Sequence, residues 1–269
     1  LVYEQPATGY RVCVEALLVT WFATERRHRP FTHAVDLGSG PGAIALALAA
    51  TGWAARVTAV ELDPWHAELA RRNVAANALD DRVEIVESDV AAVRRSTLGA
   101  ADLVIANPPY FEPAHGAVAP DPRRAAARAF TRGALADFVE GARRLVENRG
   151  RVVLAMPASR AVEVVEMLGA RGLHAKRMRF VHPREGREAQ IVLVQAQPTR
   201  MGGLVVEPPW NLRGAGADYT EQSERALRGP YPVPEAGRPL TRPSTLHRPG
   251  CPGPSSKPTR PSPGTRERP

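Results

Sequence analysis

Between Ile105 and Pro113 the chain reads "IANPPYFEP": an apolar run stops at the amide Asn107 and at two prolines that have no backbone N–H to donate. The fixed φ of Pro108 and Pro109 holds the loop so that its carbonyls face one way. Tyr110 adds an aromatic face on which a planar group can stack, and Phe111 either extends that face or packs beneath the loop. Well upstream, "VDLGSGPG" from Val35 to Gly42 sets Gly38, Gly40 and Gly42 beside the carboxylate Asp36. Such glycines let a backbone turn tightly and approach a ligand without Cβ obstruction. Their spacing differs from the dinucleotide pattern G-x-G-x-x-G, and Asp36 would repel a pyrophosphate. A cationic ligand without phosphates suits them better. Glu61 follows the loop by about twenty residues, the separation at which α/β folds bind ribose, and a carboxylate there can accept from both hydroxyls. Asp89, in "ESDV", fits either an adenine amino group or the N-cap of the next helix. Singly, Glu61 also reads as a solvated strand end; together, on three consecutive strands, the three acids are far more specific.

For these residues to meet, one sheet must carry them. Residues 34 to 195 alternate short apolar runs with helical patterns, as a parallel α/β sheet does. "HAVDLG", "RVTAVEL", "RVEIVES" and "ADLVIANPPY" read as four strands, each ending at one of the polar positions above. Helices are expected over "AIALALAATG" and over "DPWHAELARRNVAANAL", the latter with Asp63 as N-cap and Pro64 at the first helical position. A third covers "TRGALADFVEGARRLVENRG" and closes at Gly150, before the strand "RVVLAMP" and the helix "SRAVEVVEMLGARG". "HAKRMRFVHP" and "AQIVLVQAQ" then form an antiparallel hairpin around "REGRE". The expected fold class is α/β, a doubly wound sheet with this antiparallel C-terminal hairpin at its edge. Such sheets bind ligands at the carboxyl ends of their strands, where all four polar positions fall.

The net charge of +8 is unevenly spread. Gly229 to Pro269 holds seven Lys/Arg, two Glu and 12 prolines, a net of +5, which leaves +3 for the preceding 228 residues. That segment is too poor in large apolar residues to offset its ordering entropy, so residues 229–269 are read as a Pro-rich basic disordered tail and 1–228 as the folded domain. The tail either adds weak nonspecific affinity for RNA or is a dispensable extension. Cys13 and Cys251 lie far apart and give neither a disulfide framework nor metal-ligand spacing, so no metal is expected and the cytoplasm is the expected compartment. The longest uncharged stretch, Leu37 to Ala55, contains four glycines and a proline and reads as loop and helix, so no membrane association is expected. The sequence opens on Leu1 and not on methionine, which leaves room for preceding sequence.

With its glycine loop and three acidic strand ends, the sequence resembles the class I S-adenosylmethionine-dependent methyltransferases. The resemblance implies a Rossmann-like domain over residues 1–228 and S-adenosyl-L-methionine as cofactor. Asp36, Gly38 and Gly40 would hold its methionine part, Glu61 the ribose and Asp89 the adenine; its cationic sulfonium agrees with the charge reading of Asp36. Asn107 to Tyr110 is similar to the motif by which such enzymes methylate a planar amino or amide nitrogen. That nitrogen is a poor nucleophile because its lone pair is delocalised. The Asn107 side-chain oxygen and the Pro108 carbonyl can both accept hydrogen bonds from the NH₂ group, pull it towards pyramidal geometry and aim the lone pair at the methyl. Asn107, Pro108, Pro109 and Tyr110 are thus the implied catalytic set.

Two substrates share this chemistry, nucleobase amines and protein glutamine amides. "QPATGYRVCVEALLVTWFA", "ARRNVAANALDDRVEIVESD", "HPREGREAQIVLV" and "GLVVEPPWNLRGAGADYTEQ" resemble the bacterial tRNA valine adenine-N6 methyltransferases, over nearly all of residues 5 to 228. The implied target is the adenine 3′ of the anticodon, the implied partner a tRNA anticodon loop, and no obligate protein partner is implied. Glu15 and Ala43 depart from that family, which usually has Asp and often Ile or Val there. Release-factor glutamine methyltransferases carry the same tetrapeptide behind an N-terminal helical domain, for which the 35 residues ahead of Asp36 leave little room. A non-catalytic RNA- or cofactor-binding protein of this fold is the third reading. Basic residues must meet RNA phosphates: Arg123 and Arg124, with Arg128 and Arg132, follow the reactive loop, and Lys176, Arg177, Arg179, Arg184 and Arg187 cluster near the hairpin, although either set also reads as a solvated face.

Overall fold

Runs of β-branched and small apolar residues become the centre of a nine-stranded sheet in the computed structural model, which describes residues 1–5, 14–109, 133–199, 202–230 and 232–233. β1 (Phe31–Leu37), β2 (Ala54–Glu61), β3 (Val83–Glu87), β4 (Ala101–Ala106) and β5 (Val146–Pro157) pair in parallel. With β6 (His174–His182) and β7 (Ile191–Gln197) the order is β3-β2-β1-β4-β5-β7-β6. The expected hairpin forms, but its antiparallel strand β7 lies between β5 and β6 and not at the edge. The burial pattern explains this: six of the seven residues of "IVLVQAQ" are buried, as a strand covered on both faces requires. Beyond β6 the short strands β8 (Val205–Val206) and β9 (Trp210–Asn211) both pair with it in parallel.

Helices cover both faces, so alternate residues of one strand enter different cores. Leu103 and Ile105 of β4 pack with α1 (Val14–Thr24) and α2 (Ala43–Ala50), through Leu18, Phe22 and Leu46. Val104 and Ala106 pack with α5 (Gly133–Leu145) and α6 (Ala161–Ala170), through Phe138, Val139 and Leu168. α3 (Pro64–Ala76) starts as expected: the Asp63 carboxylate accepts from the Trp65 N–H at 2.9 Å, with Pro64 at the first helical position. It ends at Ala76, three residues before Leu79, with Asn77 as its C-cap, and Ala78 takes φ 51°. α4 (Arg95–Leu98) and α7 (Glu221–Leu227) are short.

One boundary differs more. The helix expected to run to Gly150 ends at Leu145, and β5 begins at once. A Cβ on Gly150 would lie 2.8 Å from the Val146 side chain and 3.0 Å from the Ala101 carbonyl. Gly150 therefore allows the chain to pass close beside β4, where the register shifts between Ala101 and Leu103.

Arg177 and Arg179 on β6 do not face solvent, which corrects their placement in a phosphate-facing cluster. Arg177 bonds Glu207 at 2.8 Å and Glu25 at 2.7 Å, and Arg179 bonds the same two acids at 2.6 and 3.1 Å. Burial pushes the Glu207 carboxyl up, but the Arg177 hydrogen bond and the charges of Arg177, Arg179 and Arg26 outweigh it and hold it below the ordinary value. This network ties the segment after β8 to the end of α1.

By internal contacts the chain divides into Leu1–Glu235 and Ala236–Pro269. The second unit, and with it nearly all of the expected tail, lies outside the described residues. Among the described residues no helix is long and apolar enough to cross a membrane.

Candidate active site

Strand register decides which residues meet. Leu37 of β1 stands opposite Ala106 of β4, so the next residue of each strand brings Gly38 beside Asn107. Gly38, Ser39, Pro41, Ala43, Ile44 and Asn107, with Ala16 of α1, line one hollow at this end of the sheet. Gly38 has φ +69°, and a Cβ there would come within 2.8 Å of the Phe138 ring, so conformation and packing both demand glycine. The loop is held by backbone bonds from Gly38 and Ser39 to the Val60 carbonyl, at 2.8 and 3.0 Å. Glu61 adds a side-chain brace: Oε2 accepts from the Gly40 N–H at 2.7 Å and Oε1 from the Asp63 N–H at 2.9 Å. Each oxygen keeps a second lone pair for a ligand hydroxyl.

Asp36 sits at the root of this loop, fully buried, and neither carboxylate oxygen has a hydrogen-bond partner. Burial, and secondarily the Glu61 charge, raise its pKa to about 8, while the Ala45 backbone N–H, short of a full hydrogen bond to either oxygen, pulls the other way. An unpartnered buried carboxylate is costly, and a cation held against the loop would offset that cost. The site thus fits a ligand with a positive centre. Asp89 is exposed at the end of β3; its Oδ1 accepts from the Ala91 N–H at 2.8 Å, forming a turn, and no helix starts until Arg95.

Asn107 and Pro108 are buried and Pro109 is half-buried. Tyr110, Phe111, Arg123, Arg124, Arg128 and Arg132 lie outside the described residues. Arg184 and Arg187 are exposed on the β6–β7 turn. That turn is at the same end of the sheet as Asn107, because Ile191 at the start of β7 pairs with Pro157 at the end of β5.

Asn73 escaped the sequence reading. Fully buried on α3, it donates to the Pro41 carbonyl at 3.0 Å and the Glu4 carbonyl at 2.9 Å, and accepts from the Glu4 N–H at 2.7 Å. It clamps the glycine loop to the first residues of the chain. The available signal was an amide on the stripe of Leu69, Ala70 and Val74, where an apolar residue is the default. Among the described residues no three His, Cys, Asp or Glu are grouped to hold a metal ion.

Sheet order, glycine loop, acids at three consecutive strand ends and an amide after the fourth together define a class I methyltransferase. The methyltransferase small domain matches residues 15–170. A relative from Aeromonas hydrophila, named tRNA1(Val) (adenine(37)-N6)-methyltransferase, is 37% identical over 170 residues, 62% of this chain and 70% of the relative. One of the same name from Erwinia tasmaniensis is 31% identical over 199 residues, 73% and 79% of the two chains. The solved structure of a predicted O-methyltransferase from Agrobacterium tumefaciens matches with a TM-score of 0.64 at 24% identity, covering 80% of this chain and 97% of that one; it supports the fold. The chain belongs to the methyltransferase small-domain family, as an S-adenosylmethionine-dependent enzyme related to those two tRNA1(Val) (adenine(37)-N6)-methyltransferases.

Proposed function

We propose that this enzyme methylates the exocyclic N6 amine of an adenine in tRNA, the adenine immediately 3′ of the anticodon, in the cytoplasm. The observation that carries the chemistry is the pairing of β1 with β4, which brings Asn107 into the hollow of the glycine loop. The names of the two relatives favour adenine in tRNA over a glutamine amide. An unpaired loop base also costs less to extrude than one in a duplex.

The cofactor supplies an activated methyl group on a sulfonium. Asp36, Gly38 and Gly40 would hold its methionine part, Glu61 the ribose and Asp89 the adenine. Asn107 and Pro108 orient the target amine as hydrogen-bond acceptors, Pro109 fixes the loop, and Tyr110 stacks on the base, with Phe111 extending that surface. The bound cofactor would supply the methyl to the amine nitrogen and keep the carbon–sulfur bonding pair, and the nitrogen would then release a proton. No strong base is required, because the N–H becomes acidic only as the methyl transfers. Arg123 and Arg124, with Arg184 and Arg187, meet the RNA backbone.

Replacing Asn107 with alanine removes one of the two acceptors. The rate of methyl transfer is expected to fall by roughly 10²–10³ while cofactor affinity holds. Single-turnover transfer and calorimetric cofactor titration check this pair of outcomes, and transfer at the wild-type rate would refute the role of Asn107.

A further inference from the structure

The reading of the substrate as a single-stranded RNA loop leaves one surface at this end of the sheet unassigned. Asn211 of β9 stands opposite His182 at the end of β6, so the residues after it emerge where the β6–β7 turn does. The loop that follows is anchored at its base by Leu212 N–H to the His182 carbonyl and Thr220 N–H to the Leu212 carbonyl, both 2.9 Å. A third bond, Glu185 N–H to the Arg213 carbonyl at 3.2 Å, joins it to the turn carrying Arg184 and Arg187. Arg213 and Tyr219 close it as an antiparallel bridge. The Arg213 guanidinium lies 4.1 Å from the Tyr219 ring centroid and bonds the Ala217 carbonyl, so one ring face is backed by a held cation. Tyr219 is 37% exposed, and a Cβ on Gly214 or Gly216 would meet nothing within 4 Å, so the loop stands clear of the body.

We propose that Tyr219, backed by Arg213, is a stacking platform for a nucleobase flanking the target adenine in the same RNA loop. A ring already fixed by a stacked arginine loses little freedom when a base covers it. The spacing excludes the target base itself: β4, β5, β7, β6 and β9 are successive neighbours, and four strand separations amount to about 19 Å. Charge does not supply the attraction. Arg213 is held by the Ala217 carbonyl and shares its loop with Asp218, so the platform works through ring contact and adds nothing to the salt dependence of binding, which the phosphate contacts of Arg184 and Arg187 carry. The proposal rests on the RNA reading of the active site, and an aromatic platform favours that reading over a glutamine side chain, which has no ring to stack.

The test uses the full chain and an anticodon stem-loop carrying 2-aminopurine at each loop position in turn. Quenching is expected at one position away from the target. Tyr219→Ala should abolish that quenching and weaken stem-loop binding about tenfold, with the cofactor Kd, the melting temperature and the salt slope unchanged. Tyr219→Phe should behave as wild type. The platform is overturned if Tyr219→Ala binds as wild type, or if Tyr219→Phe loses as much as the alanine variant. A wild-type chain that does not methylate the unlabelled stem-loop overturns the reading of function first, and this proposal with it.

Discussion

With Asp36 holding the cofactor as proposed, cofactor binding should depend on pH. Its carboxyl is raised from 3.8 to about 8, so at pH 7 the ligand-free protein holds it mostly protonated, whereas a cationic cofactor favours the ionised form. The sign follows: Kd should fall as pH rises towards about 8, by at most tenfold per unit, and level off above. Binding at pH 7 should release nearly one proton, which calorimetry in two buffers of different ionisation enthalpy reads directly. Asp36→Asn should bind weakly and without this slope. For the ligand-free fold, a carboxyl raised above its unfolded value means that this group's contribution to stability is lost as pH climbs through the same window. Asp36, Glu61 and the glycines could be picked out as candidates because type and spacing alone mark them. Their support was not: the Glu61–Gly40 bond needs the β1–β2 register, and the Asn73 clamp needs the path of residues 1–5 over α3.

Elements position that chemistry, and two of them offer sharp tests. Gly38→Ala would put a methyl against Phe138 in a backbone conformation that alanine resists. A loss of about 1–3 kcal/mol in unfolding free energy and weakened cofactor binding are expected, by chemical denaturation and titration. Glu207→Ala leaves Arg177 and Arg179 buried with only Glu25 as acidic partner, and should cost about 3–5 kcal/mol, lowering the melting temperature by about 10 °C. The strands and most helices could be read from periodicity and from the cap Asp63-Pro64. The end of α5 could not, since a helical pattern through Glu147 gives no sign that Gly150 presses against β4. Nor could the burial of Arg177 and Arg179, which in sequence look like any basic run.

At the scale of the whole molecule, the packed chain runs slightly past the boundary expected at Arg228. Pro230 is buried and Val233 packs against the core that holds α1 and α2. A chain ending at Val233 should keep its melting temperature and methylation rate, while one ending at Arg228 should melt lower. Deleting everything after Val233 removes seven Lys/Arg, so if the tail touches RNA the loss will appear as a shallower salt dependence of Kd. The central claim concerns which amine receives the methyl. The most direct measurement offers labelled S-adenosylmethionine to this protein with an unmodified tRNA bearing adenine 3′ of its anticodon, and in parallel with a release factor. The predicted result is label at N6 of that adenine and none on protein. Label on a release-factor glutamine, with the tRNA unlabelled, would contradict it.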